Sequence, residues 1–366
     1  MPDEGLCAPC GFTWLWLNGH YRLIWPADVL KRAGFNVHVI PPSKTTGFEA
    51  KTTVDANGVE RLTSVVIPED ADVIVIQRPA FPSIPNMIQI LRSNGIAVVV
   101  DMDDDMSNIH PSNAAYHIYR HDSGTPFSWR YSDTSCKAAT MVTTSTAALQ
   151  KVYAKHGRGA VLDNYVPSAY LTFPTKETGV FGWAGTTRSH PNDPQVVSQP
   201  VKRLIDEGYG FRIVGGDEGC RAAFRLPFRP DMTGVVGLER FTKTIGDSLD
   251  VGIVPLDNTA FNASKSRLKG IEMMSVGVPW VASPRAEYRK LTRESGCGFL
   301  AEGPKDWYTK VKALMDDEVL RKEQAQAGRE YMYRQTYETN AWRWAEVWQR
   351  AYDIERGRAK SATVIA

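Results

Sequence analysis

Three residues near the middle of the second half of the chain, Lys265, Ser266 and Glu272, have the types and spacing to hold a phosphorylated ligand. They follow the apolar run Val251 to Pro255 and a loop containing Phe261 and Asn262, and they precede Gly277, Val278 and Pro279. The pattern predicts a strand, a loop, a helix over Arg267 to Ser275, a turn, and a strand over Val278 to Ala282. Exposed N–H groups and the positive dipole end make a helix start a site for an anion such as a diphosphate. Lys265 adds a mobile positive charge beside it. Glu272, about two turns along, offers only acceptors and suits the two hydroxyls of a ribose. Alone, either charge reads as an ordinary solvated helix residue. Together they define a candidate site.

The elements that would position such a site alternate along the whole chain, as parallel strands with crossover helices do. Strands are predicted at Trp14 to Leu17, Val37 to Ile40, Asp72 to Gln77, Ile96 to Asp101 and Thr140 to Thr144. Helices are predicted over Tyr21 to Ala33 and Ile84 to Ser93, with Ser145 or Thr146 able to cap another. Asn164, Pro167 and Pro174 then interrupt the pattern and suggest a linker. A second series follows: strands Val180 to Trp183, Phe211 to Val214 and Val251 to Pro255, a helix Gln195 to Glu207, and an aromatic-rich closing helix from Tyr331 to Arg356. Both halves read as Rossmann-like layers. The predicted domains are residues 1–168, 169–335, and a final segment, 336–366, packing back on the first domain. Ligands of such sheets collect at the carboxyl ends of strands, which directs attention to Asn18 to Arg22, Gln77 to Pro79, Asp101 to Asp105 and Thr143 to Thr146.

A length of 366 residues suits two cores, and 43% hydrophobic with 23% charged residues is the balance of a folded globular protein. With 43 basic against 41 acidic side chains, no global field draws the chain to nucleic acid or an anionic membrane. The apolar runs are far shorter than the roughly 20 residues of a membrane-spanning helix, and Met1 to Gly11 lacks the pattern of a secretory signal. A cytoplasmic location is expected. Cys7 and Cys10 form a CxxC, the spacing of half a zinc site or a redox pair; Cys136, Cys220 and Cys297 supply no second pair, so the first two read as reduced and idle.

The stretch from Phe261 to Pro279 resembles the donor-binding region of retaining GT-B glycosyltransferases, the family 4-like group with a Glu-x7-Glu motif. Glu272 to Pro279 matches the motif's second half, while Ser264 stands where its first glutamate would be. The run Phe261-Asn262-x-x-Lys265-Ser266 is similar to a branch found in bacterial polysaccharide and phage gene clusters. Gly182 to Arg188 resembles the first strand and loop of the family's donor domain.

The resemblance implies an α/β GT-B fold, two Rossmann-like domains facing each other across a cleft, and transfer of a sugar from a UDP- or GDP-sugar with retention and without metal or cofactor. It implies Gly185, Thr186, Arg188, Gly215, Asn262, Lys265, Ser266 and Glu272 at the donor, with Arg188 and Lys265 meeting the diphosphate during catalysis. It places Tyr21, Arg22 and Asp103, Asp104 and Asp105 on the acceptor side, with His110 as a catalytic candidate. His110 reads equally as a satisfied loop histidine. The three aspartates also suit a helix cap or the divalent-cation motif of GT-A enzymes. The acceptor is left open between a glycan, a protein side chain and a nucleobase. A sugar-nucleotide epimerase and a non-catalytic nucleotide-sugar binder are the alternatives.

Overall fold

The computed structural model describes residues 19–39, 50–54, 60–65 and 71–365. Cys7, Cys10 and the strand expected at Trp14 to Leu17 lie outside them. The chain divides into two compact units, one formed by residues 1–108, 117–164 and 340–366, the other by 109–116 and 165–339.

In the first unit an antiparallel pair, β1 (Ala50–Val54) and β2 (Glu60–Val65), accompanies a four-stranded parallel sheet. That sheet runs β3 (Val73–Gln77), β4 (Ala97–Met102), β5 (Met141–Thr144), β6 (Gly159–Val161), each strand pairing with the next. Strand β4 is buried at all six residues, which is why it reads as continuous apolar sequence from Ala97 to Val100: a parallel strand covered on both faces has no solvent side. The helix Ile84–Ser93 joins β3 to β4, and Thr146 caps the helix Ala147–Tyr153 by accepting from the Leu149 N–H at 3.2 Å. Residues 37–39 form no strand. They are half-buried and make no ladder to a neighbour among the described residues, and without a ladder β-branched residues do not hold a strand.

The second unit holds a six-stranded parallel sheet in the order β12 (Phe299–Leu300), β11 (Trp280–Ala282), β10 (Val251–Val254), β7 (Val180–Ala184), β8 (Gly210–Val214), β9 (Asp231–Met232). The order reverses between β7 and β10, the switch point where open parallel sheets bind ligands. Its core packs Phe181, Trp183, Phe211, Phe224, Ile253 and Trp307 against one another.

The expected closing helix is three pieces, Glu318–Met332, Tyr337–Asn340 and Trp342–Ile365. The break has a backbone cause. The Gln335 carbonyl accepts from the Val166 N–H at 3.3 Å and the Tyr337 N–H donates to the Val166 carbonyl at 3.0 Å, so residues 335–337 bond an extended segment in place of their own helix. Trp342–Ile365 belongs to the first unit, where Trp344 Nε1 donates to the Arg22 carbonyl at 2.9 Å and buried Glu355 accepts from Arg92 Nε at 2.9 Å and Thr140 Oγ1 at 2.8 Å.

Candidate active site

Strand β7 leads into Gly185, and the loop after it is shaped by a carboxylate that the sequence alone does not single out. Asp217, just beyond β8, accepts from both the Thr186 and Thr187 hydroxyls, from the Thr187 N–H at 2.7 Å, the Gly219 N–H at 2.9 Å and the Arg188 N–H at 3.3 Å. Burial opposes its charge, but these donors hold the carboxyl below the usual carboxylate range. No basic side chain pairs with it among the described residues. Thr186 and Arg188 are therefore set in place by Asp217. The Arg188 side chain is exposed. The turn that carries Asp217 begins at Gly215, whose φ of +79° is open to glycine and costly for other residues.

From the other side of the switch point comes the segment after β10. Its helix begins at Leu268, within one residue of the expectation, and is preceded by a separate short turn over residues 260–263 capped by Thr259. Ser264 closes that turn, its hydroxyl donating to the Phe261 carbonyl at 2.8 Å. Lys265 lies 4.4 Å from the centre of the Phe261 ring, and Ser266 precedes the helix start. Gly277 ends the segment with φ +70°.

Lys269, in the helix's first turn, is the cation that most closely joins the two sides. Its ammonium donates to the Ala184 carbonyl at 2.6 Å and lies 5.4 Å from the centre of the Trp183 ring. A Cβ on Gly185 would stand 2.7 Å from Nζ, so the missing side chain at Gly185 is what admits the ammonium. Burial, with a smaller contribution from Lys265, pushes the ammonium down to about 8 against the opposing pull of Glu272 and Asp193. No carboxylate ion-pairs with Lys269 among the described residues. Glu272 is buried, within electrostatic reach of Lys269 and of the Tyr170 and Tyr288 phenols, which burial and its charge push up.

Asn262, expected among the ligand-binding residues, has a supporting task. Its amide donates to Asp193 Oδ1 at 2.6 Å and to the Asp257 carbonyl at 3.1 Å. Asp193 Oδ1 also takes the Asp257 N–H at 2.9 Å, and its Oδ2 lies 2.7 Å from His190 Nδ1. Burial and the two lysines push His190 down, and Asp193 opposes them.

His110 belongs to the second unit, where the Ser112 N–H donates to its Nδ1 at 3.1 Å and the Asn192 amide faces both ring nitrogens at 3.3 and 3.1 Å. Asn113 Nδ2 donates to the Ser189 carbonyl at 3.0 Å and ties the same loops. A cavity of about 20 Å³, lined by His110, His190, Asp193, Phe261 and Asn262, lies among these groups; it has room for about one water.

The first-unit residues are differently employed from what the sequence suggests. Arg22 is fully buried and clasps Asp101 through two hydrogen bonds of 3.1 and 2.8 Å, with Asn164 Oδ1 at 3.0 Å and the Leu162 carbonyl at 2.5 Å. Tyr21 is buried edge-on to Trp25, ring centres 4.5 Å apart. Both are core residues, because the turn from His20 to Ile24 is wound so that Tyr21, Arg22 and Leu23 all face inward. Asp103 and Asp104 are both ion-paired to Arg78, which holds a φ of +46°, a strained backbone for a side chain of this size. Asp105 accepts from the Ser107 N–H at 3.3 Å, which is the helix-start cap among the expected roles of this cluster, and also from the Ser107 hydroxyl at 2.6 Å and Asn108 Nδ2 at 2.8 Å. Cys136, Cys220 and Cys297 are buried thiols.

Solved structures with a similar architecture are glycosyltransferases. TarM matches with a TM-score of 0.55 and 16% identity over 76% of this chain and 55% of its own. A mutant of S. aureus TarM in complex with Fondaparinux, alpha-GlcNAc-glycerol and UDP matches at 0.53 and 17%, over 78% and 56%. Sucrose-phosphate synthase from Thermosynechococcus elongatus matches at 0.56 and 12%, over 90% of this chain and 92% of that one. The fold is that of the GT-B glycosyltransferases. The chain spans just over half the length of TarM. No family model and no curated protein matches the sequence. Among the described residues no helix is long and apolar enough to cross a membrane.

Proposed function

We propose that the chain transfers a sugar from a nucleoside-diphosphate sugar to an acceptor, without a metal and with retention at the anomeric carbon. The observation that carries this reading is Lys269: a cation set over Gly185 at the switch point of a parallel sheet, with no carboxylate ion-paired to it among the described residues. A cation left in such a place calls for an anion from outside. Lys265 acts on the same ammonium electrostatically, the Thr186–Arg188 loop continues directly from Gly185, Ser266 precedes the helix start at Leu268, and Glu272 is spaced along the helix for the ribose.

The reaction asks for little more from this unit. As the bond from the anomeric carbon to the diphosphate breaks, negative charge gathers on the leaving oxygen, and Lys265, Lys269 and Arg188 stabilise it electrostatically. The acceptor oxygen forms the new bond to the anomeric carbon on the face that the diphosphate leaves, and its proton passes to the departing diphosphate oxygen. UDP is the first nucleotide to try, because a TarM mutant is bound to it. The epimerase alternative is disfavoured, since Asp103 and Asp104, which could have served as its acid and base, are both engaged by Arg78.

A thermal-shift screen of UDP-, GDP-, ADP- and dTDP-sugars tests the reading, since a ligand bound only by the native state raises the melting temperature. A rise with one nucleotide, followed by release of that nucleoside diphosphate in the presence of acceptor, is expected. No rise with any of them removes the reading.

A further inference from the structure

Two groups at this site are not used by the transfer chemistry outlined above, His190 and Asp193, and their geometry fixes what His190 can do. Ionised Asp193 is an acceptor only, so its Oδ2, 2.7 Å from His190 Nδ1, places the ring proton on Nδ1. Asp193 is itself immobilised by the Asn262 amide and the Asp257 N–H. Burial disfavours its charge, but His190 and these donors keep it ionised, below the usual carboxylate range. In the neutral ring Nε2 then carries a lone pair, and among the described residues nothing hydrogen-bonds to it. The groups acting on the ring are Asp193 from its own loop and Lys265 and Lys269 from the facing segment, with Asp257 and His110 lining the adjoining cavity.

A lone pair repels a phosphate oxygen, whereas a protonated Nε2 donates to it. We propose that His190 is a diphosphate ligand that acts as an imidazolium, so that donor binding carries one proton from solvent onto Nε2. The inference rests on the donor-site reading and adds to it a proton stoichiometry. The free site disfavours that proton: burial and the two ammonium groups push His190 down. A bound diphosphate reverses the balance, because its charge neutralises the lysines and gives Nε2–H an acceptor, while Asp193 shares the positive charge from the other side of the ring. Donor affinity then depends on pH through His190, and falls as the pH rises above the free imidazole's range.

The test is calorimetric titration of the full chain with UDP-glucose, and with GDP-mannose as a second probe, at pH 7.0 in two buffers of different ionisation heat. The diester diphosphate of these probes does not itself titrate near neutrality. Lys269, held at about 8, is already mostly charged at that pH, so an uptake of about one proton per ligand belongs to His190. His190→Gln is expected to abolish the uptake and to weaken binding about tenfold at pH 6, with little change at pH 8.5. The ring's ¹⁵N signals give a reading that needs no variant: Nε2 moves from the unprotonated to the protonated position on saturation. Binding without proton uptake, undiminished uptake in folded His190→Gln, or an unprotonated Nε2 in the saturated complex overturns the inference and leaves the donor site standing. No binding of these probes, nor of an ADP- or dTDP-sugar put in their place, removes both.

Discussion

The ammonium of Lys269 is 2.6 Å from the carbonyl oxygen of Ala184, which ties the first turn of one helix to the carboxyl end of a strand 85 residues earlier. The bond leaves two ammonium protons for a ligand and holds the charge where it is most costly to keep. Lys269→Met is expected to lower nucleotide-sugar affinity at pH 7 by about 10- to 100-fold, the worth of a charge-assisted hydrogen bond. Wild-type affinity should also fall as the pH rises through about 8, where the free site loses this charge; in Lys269→Met the descent above pH 8 should flatten. Calorimetric titration across that range reads both.

The same buried ammonium makes native stability depend on pH with a definite sign. An unfolded lysine keeps its proton to about 10.4, so between pH 8 and that value the unfolded state binds more protons and native stability rises with pH. Below pH 8 the buried charge is a standing cost. Without ligand, Lys269→Met should therefore melt higher than the wild type at pH 7, and the gap should close toward pH 10. A wild type that melts higher than Lys269→Met at pH 7 instead would mean that the bond to Ala184 outweighs the burial of the charge.

Gly185→Ala tests the space that the ammonium needs. The new Cβ would fall 2.7 Å from Lys269 Nζ and 2.7 Å from Trp183 Cζ2, so the flexible lysine must swing away and the fully buried indole must shift as well, at some loss of stability. Donor affinity is expected to fall about as far as in Lys269→Met, because a displaced ammonium and an absent one leave the diphosphate equally unmatched. Combining the two substitutions should add little.

Much of this architecture is legible in the sequence. Apolar runs place most strands within a residue or two, because parallel strands buried on both faces leave no polar side to blur the signal. Lys265, Ser266 and Glu272 stand out by their spacing along one segment. Lys269 does not, although four residues after Lys265 and three before Glu272 is a helical neighbour spacing that could flag it. Asp217 and Asp193 act through contacts with distant loops, and a single sequence carries no sign of which loops meet; His190 meets Asp193 only three residues on, but its place opposite Lys265 and Lys269 is equally non-local. Arg22 and Tyr21 mislead for the opposite reason: polar residues at strand or helix ends often face a ligand, but here the winding of one turn carries them into the core, where Arg22 closes on buried Asp101.

Asp217→Asn should loosen the loop that Asp217 gathers. The amide can accept at one oxygen only, so the Thr186 and Thr187 hydroxyls cannot both be served as they are now. A loss of about 1–2 kcal/mol is expected, with weaker donor binding. The wild-type carboxyl is held below its ordinary value, so its contribution is present above the unfolded pKa and is lost as the pH falls through the folded one. The difference in melting temperature between wild type and Asp217→Asn should accordingly shrink on acidification.

Ser264 stands at the position of the first glutamate in the motif that this segment resembles, and its setting argues that the site is built around the smaller residue. It is buried, and its hydroxyl closes the turn onto the Phe261 carbonyl at 2.8 Å. Ser264→Ala removes that bond and should cost about 1 kcal/mol, leaving donor affinity unchanged. Ser264→Glu adds a longer, charged side chain at a position with little access to water, where an ionised carboxylate must find a partner or lose its charge. It should destabilise the second unit more than Ser264→Ala does, and any pairing with Lys265 or Lys269 would withdraw a cation from the diphosphate. Melting temperature and donor titration should thus fall together in Ser264→Glu. If turnover instead rose, the turn would be shown to accept the motif's acid, and the cations would not be the main source of catalysis here.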